Sequence, residues 1–402
     1  MAGVLGIYIH IPFCKSKCDY CDFYSLAGRE EQMDQYQKAL LAQLKQWAPR
    51  LKGRGIDTIY FGGGTPSYYG AKRLRELLGF LQRHFSVSRQ AEITVECNPD
   101  SVDARSMALL RRAGVNRVSL GMQSADGAQL RCVHRIHTPQ QVQLAVEALR
   151  QAKLSNISLD LIYGLPGQTM ESWQATLRSA LALAPEHISC YGLKVEAGTP
   201  LARRVAEGEP LPDEDAQAEF YLKAVELLQR AGYRQYEISN FAKTGRESRH
   251  NLKYWMGREY LGFGPGAHSY FNGRRFSYVR DLDLYLRTLR GGEAKLEEDQ
   301  VVDPTERARE YLLLRMRTLR GIEEWEYRRN FGLNFEPIGR QLEFFETHHW
   351  AELTGKRWHF TPQGFLLSNS LIVELLEAQS PTLAEQTFWR ALQKRGGQNS
   401  LE

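Results

Sequence analysis

His10-Ile11-Pro12-Phe13-Cys14-Lys15-Ser16-Lys17-Cys18-Asp19-Tyr20-Cys21-Asp22-Phe23-Tyr24-Ser25 sets three cysteines at C-x3-C-x2-C spacing, and the next cysteine is Cys97. Three thiolates fall one short of a closed tetrahedral zinc site or a fully ligated iron–sulfur cluster. A cubane 4Fe–4S cluster on three cysteines keeps one iron open to a ligand that is not protein. Two alternatives stand beside it: zinc with His10 as fourth ligand, or Cys97 as fourth cluster ligand. Phe13, Tyr20, Phe23 and Tyr24 would shield a cluster from water and so help set its potential.

Working outward, strand-like runs at residues 5–11, 57–61, 92–97, 117–120, 158–162 and 187–191 alternate with amphipathic stretches. Those stretches cover residues 33–47, 71–84, 101–113, 139–152, 170–182 and 213–231. Short apolar strands separated by helices predict a right-handed parallel sheet. Six β–α units are two fewer than a closed barrel needs, so the expected fold is α/β: a partial (β/α)6 barrel. The unusual residues follow each strand: the cysteines, Gly62-Gly63-Gly64-Thr65-Pro66, Glu96-Cys97-Asn98, Gly121-Met122-Gln123, Asp160 with Tyr163-Gly164, and Tyr191-Gly192-Leu193-Lys194. Strand C-terminal ends build the active site in parallel β/α folds, so this phasing predicts one large site.

Residues 1–235 are expected to form the barrel, 236–300 an irregular cover, 301–380 a helical domain and 381–402 a flexible tail. A hairpin at residues 358–373 leading into a helix resembles a winged-helix unit, read as a packing module. Composition sets the class: 402 residues, 43% hydrophobic and 25% charged, suit a large soluble protein. Net charge is +5 with scattered basic residues, so no nucleic-acid partner is expected. No apolar run approaches the roughly 20 residues of a membrane span. The first residues lack the basic region of a signal peptide. Six cysteines in so long a chain are no disulfide framework. The expected location is the cytoplasm, at most peripheral at a membrane.

The Gly62–Pro66 run lacks the Gly-Lys-Ser/Thr ending of a phosphate loop. Three glycines let the backbone approach a small ligand. Glu96, Gln123, Arg135 and Asp160 would suit a polar, zwitterionic ligand, although each alone is ordinary structural polarity. Gly262–Ala267 reads as a tight loop, because Pro265 interrupts the dinucleotide pattern. His250-Asn251-Leu252-Lys253-Tyr254-Trp255 could ligate and stack on a porphyrin, but its spacing alone reads as a packing loop.

C-x3-C-x2-C followed by GGGTP resembles the radical S-adenosylmethionine (SAM) superfamily. Residues 8–14 and 160–166 make the chain similar to its coproporphyrinogen III dehydrogenase-like branch, over about residues 5–380. Within that branch it resembles the HemW family of haem chaperones. Phe23 stands where the dehydrogenase has a fourth cysteine, only four residues precede the first strand, and His250, Asn251, Tyr254 and Trp255 match an H-N-x-x-Y-W motif associated with haem. The resemblance implies a 4Fe–4S cluster on Cys14, Cys18 and Cys21. It implies SAM contacts at Tyr8, Gly64 and Glu96, and a second SAM site at Tyr20, Thr65, Pro66, Gln123, Arg135 and Asp160. Lys194 and His268 depart from the dehydrogenase's small or apolar residues there. It further implies haem as cargo near His250–Trp255, haem-accepting partners such as membrane respiratory enzymes, a homodimer, and an electron donor wherever SAM is cleaved. The competing activity is oxygen-independent coproporphyrinogen III dehydrogenase, oxidatively decarboxylating two propionates; no catalytic residue is assigned.

Overall fold

A computed structural model describes the backbone of residues 4–396 and the side chains of residues 4–384. It divides into two units: residues 1–235, 239–253 and 258–301, then residues 236–238, 254–257 and 302–402.

The first unit is built on one sheet. Its strands are β1 (Leu5–Ile11), β2 (Gly55–Gly63), β3 (Ser86–Cys97), β4 (Arg117–Gln123), β5 (Ile157–Tyr163), β6 (His187–Gly192), β7 (Arg234–Gln235), β8 (Asn240–Ala242), β9 (Tyr260–Phe263), β10 (His268–Phe271), β11 (Arg274–Tyr278) and β12 (Leu296–Val301). Their order is β12-β11-β10-β9-β1-β2-β3-β4-β5-β6-β8-β7, an open row with two edges. β9 and β1 through β6 are parallel; the outer strands are antiparallel. The expected parallel six are present. β9 makes a seventh from a segment read as irregular, where Gly262 and Gly264 mask a four-residue strand.

Helices α1 (Met33–Trp47), α2 (Ala71–His84), α3 (Ala104–Ala113), α4 (Pro139–Gln151), α5 (Met170–Ala182), α6 (Pro200–Ala206) and α7 (Glu214–Arg230) connect or follow the strands. Local signals fix their ends. Thr138 and Gln141 form a reciprocal capping box ahead of α4, whose first residue is Pro139. Gly114, left-handed at φ 115°, ends α3.

The central parallel strands alternate along most of their length. Ile7, Ile9, Ile59, Phe61, Ile93, Val95, Val118, Leu120, Leu159 and Ile188 are buried on one face. Leu40, Leu44, Leu74, Leu77 and Leu81 give α1 and α2 buried apolar stripes. The other face is polar: Thr58 and Tyr60; Glu92, Thr94 and Glu96; Arg117 and Ser119; Ser158 and Asp160; His187 and Ser189. That polar face positions the site.

In the second unit, helices Pro304–Arg315, Glu324–Phe331, Glu336–Thr347 and Ser368–Gly396 are joined by a hairpin of Ala351–Thr354 and Arg357–Phe360. The hairpin begins earlier than its expected position. Gly321 is left-handed at φ 57°, and a Cβ there would lie 1.9 Å from the Trp358 carbonyl oxygen. Ser368–Gly396 runs as helix through residues expected to fray, with Pro381 inside it. Leu371, Ile372, Leu375 and Leu383 are buried along it, so packing overrides its polar composition. Among the described residues no helix is long and apolar enough to cross a membrane.

Candidate functional site

A cavity of about 480 Å³ opens at the C-terminal ends of β2 through β6. The cysteine loop forms one wall. Phe13–Cys14 pairs in parallel with Leu26–Ala27, closing the loop. The Cys21 amide donates to the Cys18 carbonyl at 3.1 Å. Cys14, Cys18 and Cys21 all line the cavity. The Thr65 hydroxyl donates to Cys14 Sγ at 3.4 Å, and Arg135 Nη1 to Cys18 Sγ at 3.4 Å. Burial pushes the Cys14 and Cys21 thiols up, so their thiolates need a compensating positive group.

Among the described residues no three metal-binding side chains converge on a single ion. The zinc arrangement with His10 is not formed. His10 Nε2 is bonded to the Tyr24 carbonyl at 2.8 Å and Nδ1 to the Tyr8 hydroxyl at 3.1 Å. Burial pushes the imidazole down to about 4, so it stays neutral. Cys97 lines the cavity too, but is buried and pushed up to about 12 by desolvation.

The triple glycine does more than admit a ligand. A Cβ on Gly63, whose φ is 109°, would strike the His10 ring at 2.4 Å. A Cβ on Gly64 would lie 2.8 Å from the Ile11 and Phe13 carbonyl oxygens. A Cβ on Gly62 would crowd Tyr60 and Glu96 at 2.8–3.0 Å. The run was expected to spare space for a small molecule; the protein's own chain takes much of it. The Gly64 and Thr65 amides donate to Ile11 and Phe13 at 2.7 and 2.8 Å, tying this turn to the cysteine loop. Gly63 and Gly64 still border the cavity.

The opposite wall is charged. Glu96 accepts from the Tyr60 hydroxyl at 2.7 Å and the Gly63 amide at 3.1 Å. Desolvation nevertheless pushes its carboxyl up to about 7. Asp160 takes hydroxyls from Ser119 at 2.7 Å, Ser158 at 3.1 Å and Ser189 at 2.8 Å. Gln123 sits at a register break in β4 with φ 61°, a left-handed backbone uncommon outside glycine. Arg135 Nη2 reaches Asn98 Oδ1 at 3.1 Å and the Gly121 carbonyl at 2.8 Å. Its buried Nε has no hydrogen-bond partner among the described residues. Three thiols, a guanidinium and two carboxylates suit a cluster with a zwitterionic ligand.

Known proteins add the lineage. The Radical SAM superfamily profile matches residues 8–180, and the HemN C-terminal domain profile residues 302–367. The heme chaperone HemW of Bacillus subtilis (strain 168) is 35% identical over 370 residues, 90% of this chain and 97% of that one. This chain belongs to the HemW family. HemW of Escherichia coli (strain K12) is 36% identical over 372 residues, 92% and 97% of the two chains. The solved structure of the E. coli radical SAM enzyme coproporphyrinogen III oxidase, HemN, superposes with a TM-score of 0.82. It covers 93% of this chain and 90% of its own at 22% identity, a likeness of fold alone.

For this HemW-family chain, the cavity brings together Cys14, Cys18, Cys21, Tyr20, Gly64, Thr65, Glu96, Gln123, Arg135, Asp160 and Lys194. It omits Tyr8 and Pro66, which begins a one-turn helix. Lys194 pairs with Glu196 at 2.6 Å, and His268 is exposed at the start of β10. The H-N-x-x-Y-W motif lies in helix α8 (Arg249–Trp255), not a loop. Glu92 accepts from the Arg249 and His250 amides, both at 2.9 Å, which anchors the helix start to β3. His250 is buried, bonded to Thr58 Oγ1 at 2.9 Å and stacked on Tyr60 at 5.1 Å. Desolvation pushes it down to about 3. Asn251 is the one motif residue on the cavity lining; Tyr254 and Trp255 belong to the second unit.

Tyr60, Arg117, Ser119 and Ser189 also line the cavity and escaped the sequence reading, whereas Asn98, expected there from its place after a strand, lines it too. The signal was present as polar residues two apart within otherwise apolar strands.

Proposed function

We propose that this chain is a haem chaperone of the HemW type: it holds a 4Fe–4S cluster on Cys14, Cys18 and Cys21, binds SAM beside it, and passes haem to haem proteins in the cytoplasm or at the membrane. The observation that carries this reading is the meeting of three thiols with Thr65, Arg135 and Glu96 around one cavity, in a chain 35% identical to a named heme chaperone. When bound, the cluster supplies one electron to the SAM sulfonium, the difficult step that a cofactor performs.

The chain's own residues bind and orient. Arg135 brings its guanidinium to the cavity wall, where it would meet a carboxylate or hydroxyl, and Thr65 donates to a ligand thiolate. Glu96, kept near neutrality by burial, accepts an amine and releases its proton as the cation arrives. Asp160, ringed by hydroxyls, remains an acceptor for sugar hydroxyls. Phe23 is 70% exposed at the mouth, where the dehydrogenase pattern has a cysteine. Haem enters as cargo, with His250, Asn251, Tyr254 and Trp255 as its proposed motif. SAM contact by Tyr8 and Pro66 is proposed as indirect, through Tyr60 and Thr65.

The test is anaerobic. Reconstituted protein should carry four irons per chain, on the stoichiometry of the cluster. It should lose them in Cys18→Ser, and it should bind haem stoichiometrically. Coproporphyrinogen III, reductant and SAM are assayed in parallel. Protoporphyrinogen IX at many turnovers would replace the chaperone with the decarboxylating enzyme.

A further inference from the structure

Five polar side chains meet beside the cysteine loop but outside the cavity lining: Asp19, Cys132, His134, Arg204 and Glu209. None has a role in the reading above. Asp19 lies between Cys18 and Tyr20, which both face the cavity, yet its own carboxylate is buried, with 8% of the side chain exposed. One carboxylate oxygen receives both Arg204 Nη1 and His134 Nδ1, the latter at 2.7 Å. The backbone joins in: the Asp19 amide donates to the Val133 carbonyl at 3.2 Å, and the Leu201 amide to the Asp19 carbonyl at 3.0 Å.

Arg204 is the hub. It stands on α6, whose start Thr199 caps through the Ala202 amide at 3.1 Å. Its Nε and Nη2 grip the two oxygens of Glu209 at 2.5 and 2.6 Å. Its remaining contacts are the Cys132 carbonyl at 2.7 Å and the Cys132 sulfur at 3.2 Å. This fork geometry is specific to guanidinium, and Lys cannot repeat it. Besides the Val133 carbonyl, the turn it holds touches the cysteine loop through two side chains. His134, held left-handed at φ 54°, meets Asp19, and the next residue, Arg135, donates to Cys18 Sγ.

A surface ion pair would be worth little. Here the acid is buried, so removing the cation strands a charge inside the protein, and the loop must shift to rehydrate it. We propose that Arg204 is a positioning residue: through Asp19 it holds the Cys18 thiol in place at the cavity wall. The proposal rests on the reading of Cys18 as a cluster ligand, but its geometry also governs the iron-free chain.

The experiment uses full-length protein with Arg204→Met, Asp19→Ala, the double variant and Arg204→Lys. In iron-free protein, alkylation of Cys18 by iodoacetamide is timed by peptide mass spectrometry, with Cys97 as internal reference. Both single variants should speed Cys18 by about tenfold, the double variant should add nothing further, and Arg204→Lys should recover part of the protection. In reconstituted protein the cluster's reduction potential and its iron loss to a chelator should move in the same order. Cys18 reacting within about twofold of wild type in both single variants overturns the proposal, as does full additivity in the double. Should Arg204→Met fail to fold, Asp19→Ala and Arg204→Lys decide it. A wild type that takes up no iron defeats the functional reading alone, because the alkylation rates still judge Arg204.

Discussion

β3 carries two carboxylates four residues apart on its polar face, and they serve two different regions. Glu92, toward the strand start, is spent on the protein: each oxygen receives one backbone amide of α8. Around it Lys253 pairs with Asp57 at 2.6 Å and His250 with Thr58. Glu96, at the strand end, also accepts two groups among the described residues, but it faces an open cavity. The same polar alternation therefore builds a closed structural layer and an open binding wall. Access to the cavity separates them, not residue type or the number of hydrogen bonds accepted.

The sharpest break of this contrast is Lys253→Met. Among the described cations it leaves Asp57 the distant Arg249, 3.7 Å away, and should cost about 3 kcal/mol. Denaturant unfolding should show it, with SAM binding to surviving protein unchanged; an unmoved midpoint would mean the layer is hydrated. Glu92→Ala should follow at about 2 kcal/mol, since two helix-start amides lose their acceptor.

Glu96→Gln should move stability the other way. A carboxyl raised from its usual value to about 7 keeps its proton in the folded state and loses it in the unfolded state between those pH values. Stability therefore falls as pH rises through that window and stays lower above it. Because solvent reaches the cavity, the gain in Glu96→Gln at pH 8 should be about 1 kcal/mol, with the wild-type pH slope flattened. SAM affinity should drop in the same variant, and wild-type affinity should rise with pH toward 7. A variant less stable than wild type at pH 8 would contradict the assignment. The smallest effect belongs to Phe23→Ala: exposed at the mouth, it should alter stability by less than about 0.5 kcal/mol, read by the same denaturant titration.

Much of this was legible in the chain. α1, α2 and α5 begin and end where apolar periodicity placed them, β1 does too, and the other five strands were found with shortened ends. Phasing after each strand located the cavity. Two things escaped. Gly62, Gly63 and Gly64 looked like ligand space, because a sequence does not show that the His10 ring and the Phe13 carbonyl press against them. The polar inner face was hidden because the strands read as short apolar runs, and Arg117, Ser119 and His187 within them were not seen as a second alternating pattern. The H-N-x-x-Y-W motif was recognised as a string, but only folding shows His250 enclosed and Asn251 facing the cavity.

Asp160 leaves one more consequence. Its hydroxyl donors come from β4, β5 and β6, so a single carboxylate rivets three adjacent strands from within. Hydroxyl hydrogens turn freely, and a visitor can borrow a lone pair while the serines re-aim. The width of the floor is thus set by a fastener that yields without coming undone.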